Sequence, residues 1–137
     1  MKKMLLLLLL CTPVLSLFSQ STYNGSLSAT DATFNRPDEG TPPTALSITG
    51  TNVYYQVITL HITTPGLITI ISTSLWDNFA ILYGTGGFNP ALPLTNAVVA
   101  NDDFAGPNSG FTYDFTVPGN YPLGYVLIKT MLPVPTL

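Results

Sequence analysis

The sequence predicts an all-β chain, an antiparallel jelly-roll-like β-sandwich of about seven or eight strands behind an N-terminal signal peptide. Three observations carry this expectation. Thr, Val, Ile, Tyr and Phe recur through residues 20–130, and these β-branched and aromatic side chains fit a pleated, half-buried surface. The chain holds 11 glycines and 12 prolines, which place a turn signal about every ten residues. No stretch after the first 19 residues has the periodicity of a long amphipathic helix.

The chain opens on Lys2 and Lys3, continues through an apolar run from Met4 to Phe18, and then offers small residues at Ser19 and Ser21. A basic start, an apolar segment shorter than the roughly 20 residues of a spanning helix and a small-residue exit define a cleavable secretory signal. Residues 1–19 are read as that signal, with cleavage after Ser19, so the product is expected to be secreted, extracellular or at the cell surface. Cys11, the only cysteine, leaves with it. Leu10 stands where a lipidated cysteine wants a small residue. Without Cys11 the mature chain has no route to disulfides, thiol catalysis or zinc thiolates.

The domain is expected over residues 20–130. Gly25 to Ala29 is a candidate first strand, Asp31 to Pro43 a loop rich in turn formers, and Ala45 to Thr49 a second short strand candidate. Val53 to Thr63 is the longest β run. Val53, Tyr55 and Val57 share one face and Ile58, Leu60 and Ile62 the other, which implies a bulge or bend near Val57 or burial on both sides. Thr64-Pro65-Gly66-Leu67 is a type II turn signal, with Leu67 to Ser72 returning as the partner strand. Phe79 to Tyr83 and Ala97 to Ala100 are strands, separated by a loop over Gly84 to Thr95. Phe111, Tyr113, Phe115 and Val117 alternate with polar residues. Val117-Pro118-Gly119-Asn120 repeats the earlier turn, and Tyr121 to Thr130 returns with Pro122 and Gly124 weakening its first half.

The mature part carries two cations, Arg36 and Lys129, against seven carboxylates, a net charge near −5. So few cations exclude phosphate-backbone binding to nucleic acid and disfavour acidic membrane surfaces. No membrane insertion is expected once the signal is removed.

Several ordered patterns resemble a known group. They are Val53-Tyr54-Tyr55, Pro65-Gly66 with Ile68-Thr69-Ile70, Trp76-Asp77-Asn78-Phe79 and Leu82-Tyr83. Phe88-Asn89-Pro90, Pro93-Leu94, Ala100-Asn101-Asp102-Asp103, Ser109-Gly110-Phe111 and the pair Gly119 to Tyr121 continue the series. From Gly25 to Thr130 the chain is similar to the bacterial pre-peptidase C-terminal (PPC-like) domains. The resemblance implies a jelly-roll-like sandwich in a secreted or surface protein, accessory to an enzyme or adhesin and not itself catalytic. Tyr125-Val126-Leu127-Ile128 matches the strand near the family's end, but the further glycine-containing strand is missing, which would expose a sheet edge. Residues 131–137, ending Pro135-Thr136-Leu137, read either as a proline-rich tail or as the truncated start of an IPTL-type C-terminal sorting signal.

The candidate chemistry is sparse. His61, the only histidine, lies in the longest strand with no glycine-flanked serine elbow anywhere, so it is read as structural or solvent-facing. Paired carboxylates for glycoside hydrolysis would have to come from Asp77, Asp102, Asp103 and Asp114, and no spacing selects a pair. No phosphate loop, dinucleotide fingerprint or zinc spacing occurs. Asn101-Asp102-Asp103, meeting Asp77-Asn78 across the sheet ends, supplies the hard oxygen ligands that suit calcium, with Asp77, Asp102 and Asp103 as ligands. Turn capping by the same aspartates is the competing reading. Trp76 with Tyr54, Tyr83 and Tyr113 would make a carbohydrate-stacking platform if exposed, but aromatics in alternating strands are expected in the core. The functional expectation is a non-catalytic module for binding, adhesion or service to an extracellular enzyme, with a polysaccharide or surface protein as partner. A structural surface protein anchored through a missing C-terminal segment and an extracellular hydrolase are the alternatives.

Overall fold

The computed structural model describes residues 20–106 and 108–127. Seven strands form: β1 (Thr33–Phe34), β2 (Val53–Ile62), β3 (Gly66–Ser72), β4 (Asn78–Tyr83), β5 (Ala97–Asn101), β6 (Ser109–Phe115) and β7 (Gly119–Leu127). The expected all-β, antiparallel, sandwich-like fold is what forms. One sheet has five strands in the order β1-β2-β7-β4-β5, and β3 and β6 make a second sheet of two. Residues 1–19 and 128–137, on which the expected signal and the expected C-terminal tail fall, lie outside the described residues.

Beta-strand alternation sends every second side chain to the same face, and here it divides the interior in two. On one face of the five-stranded sheet Phe34, Val53, Phe79, Ile81, Tyr83, Ala97, Ala100 and Val126 pack together, with Tyr55 and Phe88 against them. On the other, Ile62, Ala80, Leu82, Val99, Tyr121 and Leu123 meet Phe111 and Phe115 of β6, with Ile68 and Ile70 of β3 alongside. Strand β4 is buried along its whole length because its two faces feed both clusters. The change of face in β2 has the same cause. Its ladder with β7 runs without a break from Tyr55↔Val126 to Ile62↔Gly119, so no bulge exists near Val57. Val53 and Tyr55 serve one cluster, while Ile58, Leu60 and Ile62 serve the other. The irregularity lies elsewhere, between Leu82 and Tyr83, where the β5 partners step from Val99 to Ala97 and leave Val98 as the extra residue.

Both Pro-Gly connections differ from the expected hairpins. β2 pairs with β7 and β3 with β6, so neither β2–β3 nor β6–β7 is a paired return. Each short Pro-Gly segment carries the chain from one sheet to the other. Gly66 accordingly opens β3 with φ 154°, a value that residues with a Cβ rarely adopt, instead of taking the turn value near +80°. At the second crossing the Tyr121 hydroxyl donates to the Val117 carbonyl at 2.7 Å and holds the corner.

Proline within β7 is tolerated for a local reason. The β4 ladder on β7 ends at Leu82↔Leu123, so Pro122 has a paired neighbour only on the β2 side, where it stands opposite Thr59. At the N-terminal side the strand boundaries move. Gly25 to Ala29 forms no strand, and its residues are mostly exposed. The first strand is β1, inside the expected loop, anchored by buried Phe34. Ala45 to Thr49 reduces to one bridge, Pro37↔Leu46. The loop between β1 and β2 instead folds back on itself, with the Arg36 N–H on the Gly50 carbonyl and the Ser47 N–H on the Arg36 carbonyl, each at 2.9 Å. Gly50 is required there, since a Cβ would stand 2.4 Å from Arg36 Cγ.

Candidate functional site

Topology alone brings the acidic residues together. Asp77 immediately precedes β4, and Asp102 and Asp103 immediately follow β5. These strands are antiparallel neighbours with Ala80 opposite Asn101, so the start of one and the end of the other share a sheet end. The chain bends at Asp102, which frees adjacent aspartates from the opposed directions they would take in a strand. One carboxylate oxygen from each of Asp77, Asp102 and Asp103 lies within 4.8 Å of the others. Asp77 and Asp103 are exposed and Asp102 is half-buried.

Two residues that sequence reasoning missed complete the surroundings. Gly40 and Ala100 exchange both backbone hydrogen bonds, at 3.0 and 2.9 Å, stitching the β1–β2 loop to the edge of β5. This places Glu39 so that its Oε1 accepts the Asp102 N–H at 3.0 Å. Asn101 Oδ1 accepts from the same N–H, also at 3.0 Å, while its Nδ2 donates to the Gly110 carbonyl at 2.8 Å. Arg36 is 7 % exposed, with its guanidinium carbon 3.9 Å from the centre of the Phe79 ring. Its Nη1 donates to the Pro37 carbonyl at 3.0 Å. Burial lowers the Arg36 pKa, and the charges of Asp102, Asp38, Glu39 and Asp77 oppose that shift. Nothing local in the sequence marks Glu39 or Arg36, because the Gly40–Ala100 bridge that places Glu39 and the bonds to Gly50 and Ser47 that place Arg36 join residues apart in the chain.

The electrostatics of Asp102 follow from this crowding. Desolvation, and then the charge of Asp77, push its carboxyl up to about 6, with Arg36 acting against them and Asp103 and Glu39 adding smaller increments. Its Oδ1 is buried and has no hydrogen-bond partner among the described residues. An inward-facing carboxylate oxygen with no donor, beside two further carboxylates, is a concentration of negative charge that a cation relieves.

Beneath the cluster, Asn78 ties three segments together. Its Oδ1 accepts the Ser109 N–H at 3.0 Å and also the Ser109 hydroxyl, while its Nδ2 donates to Ser74 Oγ at 2.9 Å and to the Ser72 carbonyl at 3.3 Å. Both Asn78 and Ser109 are buried, so this network fixes the sheet end from which Asp77 projects. A cleft of about 280 Å³ opens beside it, lined by Glu39, Val99, Asn101, Phe104, Phe111 and Thr112.

The other candidates do not join this site. Asp114 is exposed on β6 opposite Leu67 of β3. His61 is exposed on β2, and its Nδ1 lies 2.7 Å from Oδ1 of its cross-strand neighbour Asn120. The aromatic residues separate. Tyr83 is fully buried beside Phe88, Tyr113 packs edge-on against Phe115, and Tyr54 is half-buried. Trp76 corrects the expectation of a core position: it is 59 % exposed, in the short loop before β4, where few residues are available to cover it. Leu75 beside it is 96 % exposed. An apolar, solvent-facing pair therefore adjoins Asp77. No protein-family model, curated protein or solved structure matches the chain.

Proposed function

We propose that this chain is a non-catalytic β-sandwich module, exported through its N-terminal segment, that binds a surface partner through the acidic sheet end and takes calcium there. The observation that carries the reading is the convergence of Asp77, Asp102 and Asp103, from two segments of the chain, with their carboxylate oxygens within 4.8 Å. The donor set supports it. Calcium takes six to eight hard oxygen ligands from carboxylates, carbonyls and water, and tolerates irregular geometry. Asp77, Asp102 and Asp103 would hold the ion, and it would offset both the burial and the neighbouring carboxylates that raise the Asp102 pKa. Leu75 and Trp76 give the same end an exposed apolar surface, suited to the face of a sugar ring or the side chain of a surface protein. The PPC-like patterns agree with an accessory module of this type.

The test is a thermal melt with calcium and then with chelator, on the wild-type chain and on Asp102→Asn with Asp103→Asn. A calcium-dependent rise in the wild type that the double variant lacks supports the reading. A wild-type transition indifferent to calcium returns these aspartates to turn capping.

A further inference from the structure

Sheet edges offer unpaired N–H and C=O groups to other chains, and proteins blunt them with short strands, charges, prolines or covering segments. Three of the four outer strands are blunted in this way. β1 has two residues. β5 is stitched by Gly40. β6 carries Asp114 and receives the Asn101 amide on the Gly110 carbonyl. β3 is the exception along most of its length, covered in this way only at its last residue, where the Ser72 carbonyl accepts the Asn78 amide. It has seven residues, Gly66-Leu67-Ile68-Thr69-Ile70-Ile71-Ser72, with no charge, proline or bulge, and it pairs only with β6 among the described residues.

The strand is also self-complementary. About Thr69 its pattern is palindromic: two aliphatic residues, threonine, two aliphatic residues. Leu67, Thr69 and Ile71 face outward, with Leu67 73 % and Ile71 51 % exposed, while Ile68 and Ile70 face the five-stranded sheet and are only half-buried. We infer that the free edge of β3 is a homodimer interface, at which β3 pairs antiparallel with β3 of a second copy about a twofold axis through Thr69. Leu67 then stands opposite Ile71 of the other copy, Ile68 opposite Ile70, and Thr69 opposite itself, so both faces of the joined sheet match aliphatic with aliphatic. The pairing extends the two-stranded sheet to four strands. The palindromic pattern favours a second copy, because an identical strand repeats it in the antiparallel sense. The edge itself carries no charge, so no like charges stand directly opposite across the pairing.

The register makes a sharp test. Residues directly opposite in an antiparallel pair have Cβ atoms about 4.5–5.5 Å apart, close to the ~3.5–4.5 Å of a disulfide. In a Cys11→Ser background, which leaves the introduced residue as the only thiol, Thr69→Cys is expected to give a reducible covalent dimer on mild oxidation. Thr112→Cys, on the same outer face but one strand further from the edge, is expected to stay monomeric. Light scattering is expected to show a concentration-dependent dimer for the wild-type chain. Leu67→Lys should weaken it roughly tenfold or more, because each substitution occurs twice about the axis, with the melt unchanged at a dilution where both proteins are monomeric. The inference is overturned by a wild-type chain that is monomeric up to ~1 mM, as follows if the chain's own segments cover the edge. It is equally overturned by a dimer that persists in Leu67→Lys, or by Thr69→Cys cross-linking no faster than Thr112→Cys.

Discussion

Glu39 accepts the backbone N–H of Asp102 at 3.0 Å across 63 residues of chain. The contact ties the β1–β2 loop to the acidic turn after β5, and it sets a fourth carboxylate beside three that already converge. The outcome is a sheet end whose order depends on like charges being held together by backbone hydrogen bonds, with Arg36 as the nearby counter-charge. Its stability is therefore expected to depend on protons and, under the proposed reading, on cations.

The sign of the pH dependence follows from Asp102. Its folded pKa, about 6, lies above the ordinary 3.8, so the folded chain holds this proton more tightly than the unfolded chain. The resulting stabilisation is complete below about pH 3.8 and is lost as pH rises through about 6. In chelator, the Asp102 contribution makes the melting temperature fall between roughly pH 4 and 7, and saturating calcium should flatten or reverse that slope. Melts at half-unit pH steps, with and without calcium, read this directly. Asp102→Asn removes the titrating group and should remove the slope with it.

Glu39→Gln separates position from charge. The amide oxygen can still accept the Asp102 N–H, so the melt in chelator should hold or rise slightly as one negative charge leaves the cluster. Calcium affinity should fall about two- to tenfold, since the ion meets a less negative site. Titration calorimetry on the two proteins checks both halves.

Asn78→Ala should be costly although it alters no charge. It leaves the buried Ser109 N–H and hydroxyl without their acceptor, a loss of about 2–4 kcal/mol. For a domain of this size that is a melting temperature lower by about 10 °C or more. Urea denaturation of the variant measures it.

Gly110→Ala tests the tight pairing of β6 with β3. A Cβ at Gly110 would stand 2.4 Å from the Ile70 carbonyl oxygen, and backbone on a paired strand has little freedom to give way. A loss of about 1–3 kcal/mol or more is expected. Gly25→Ala, where the added carbon meets the exposed Tyr23 ring and, at ordinary contact distance, the end of the Gln56 side chain, should be close to neutral. Parallel melts of the two variants give the comparison.

Tyr121→Phe removes the hydroxyl that bonds the Val117 carbonyl across the second sheet crossing while keeping the buried ring. A loss of about 0.5–1.5 kcal/mol is expected by chemical denaturation, with the fold intact.

Local chemistry determined much of this chain in advance. Runs of β-branched and apolar residues specify β2, β3, β4 and β5 to within about one residue, whereas β6 begins and ends two residues earlier than its alternation suggests. The pairing of Asp77 with Asp102 and Asp103 was also legible, since the acidic pairs flank strands that an antiparallel sheet sets side by side. Tertiary structure decided the rest. A Pro-Gly turn looks the same whether it closes a hairpin or crosses between sheets, so only the assembled sandwich sent β3 to β6 and β2 to β7. Burial of Trp76 depended on whether neighbours covered a short loop, and they do not. Glu39 entered the site through a bridge between Gly40 and Ala100, and Arg36 through the Phe79 ring, contacts between distant segments that no sequence-local preference encodes. Sequence writes the strands and their faces; which strands become neighbours is settled only when two sheets bury their apolar faces together.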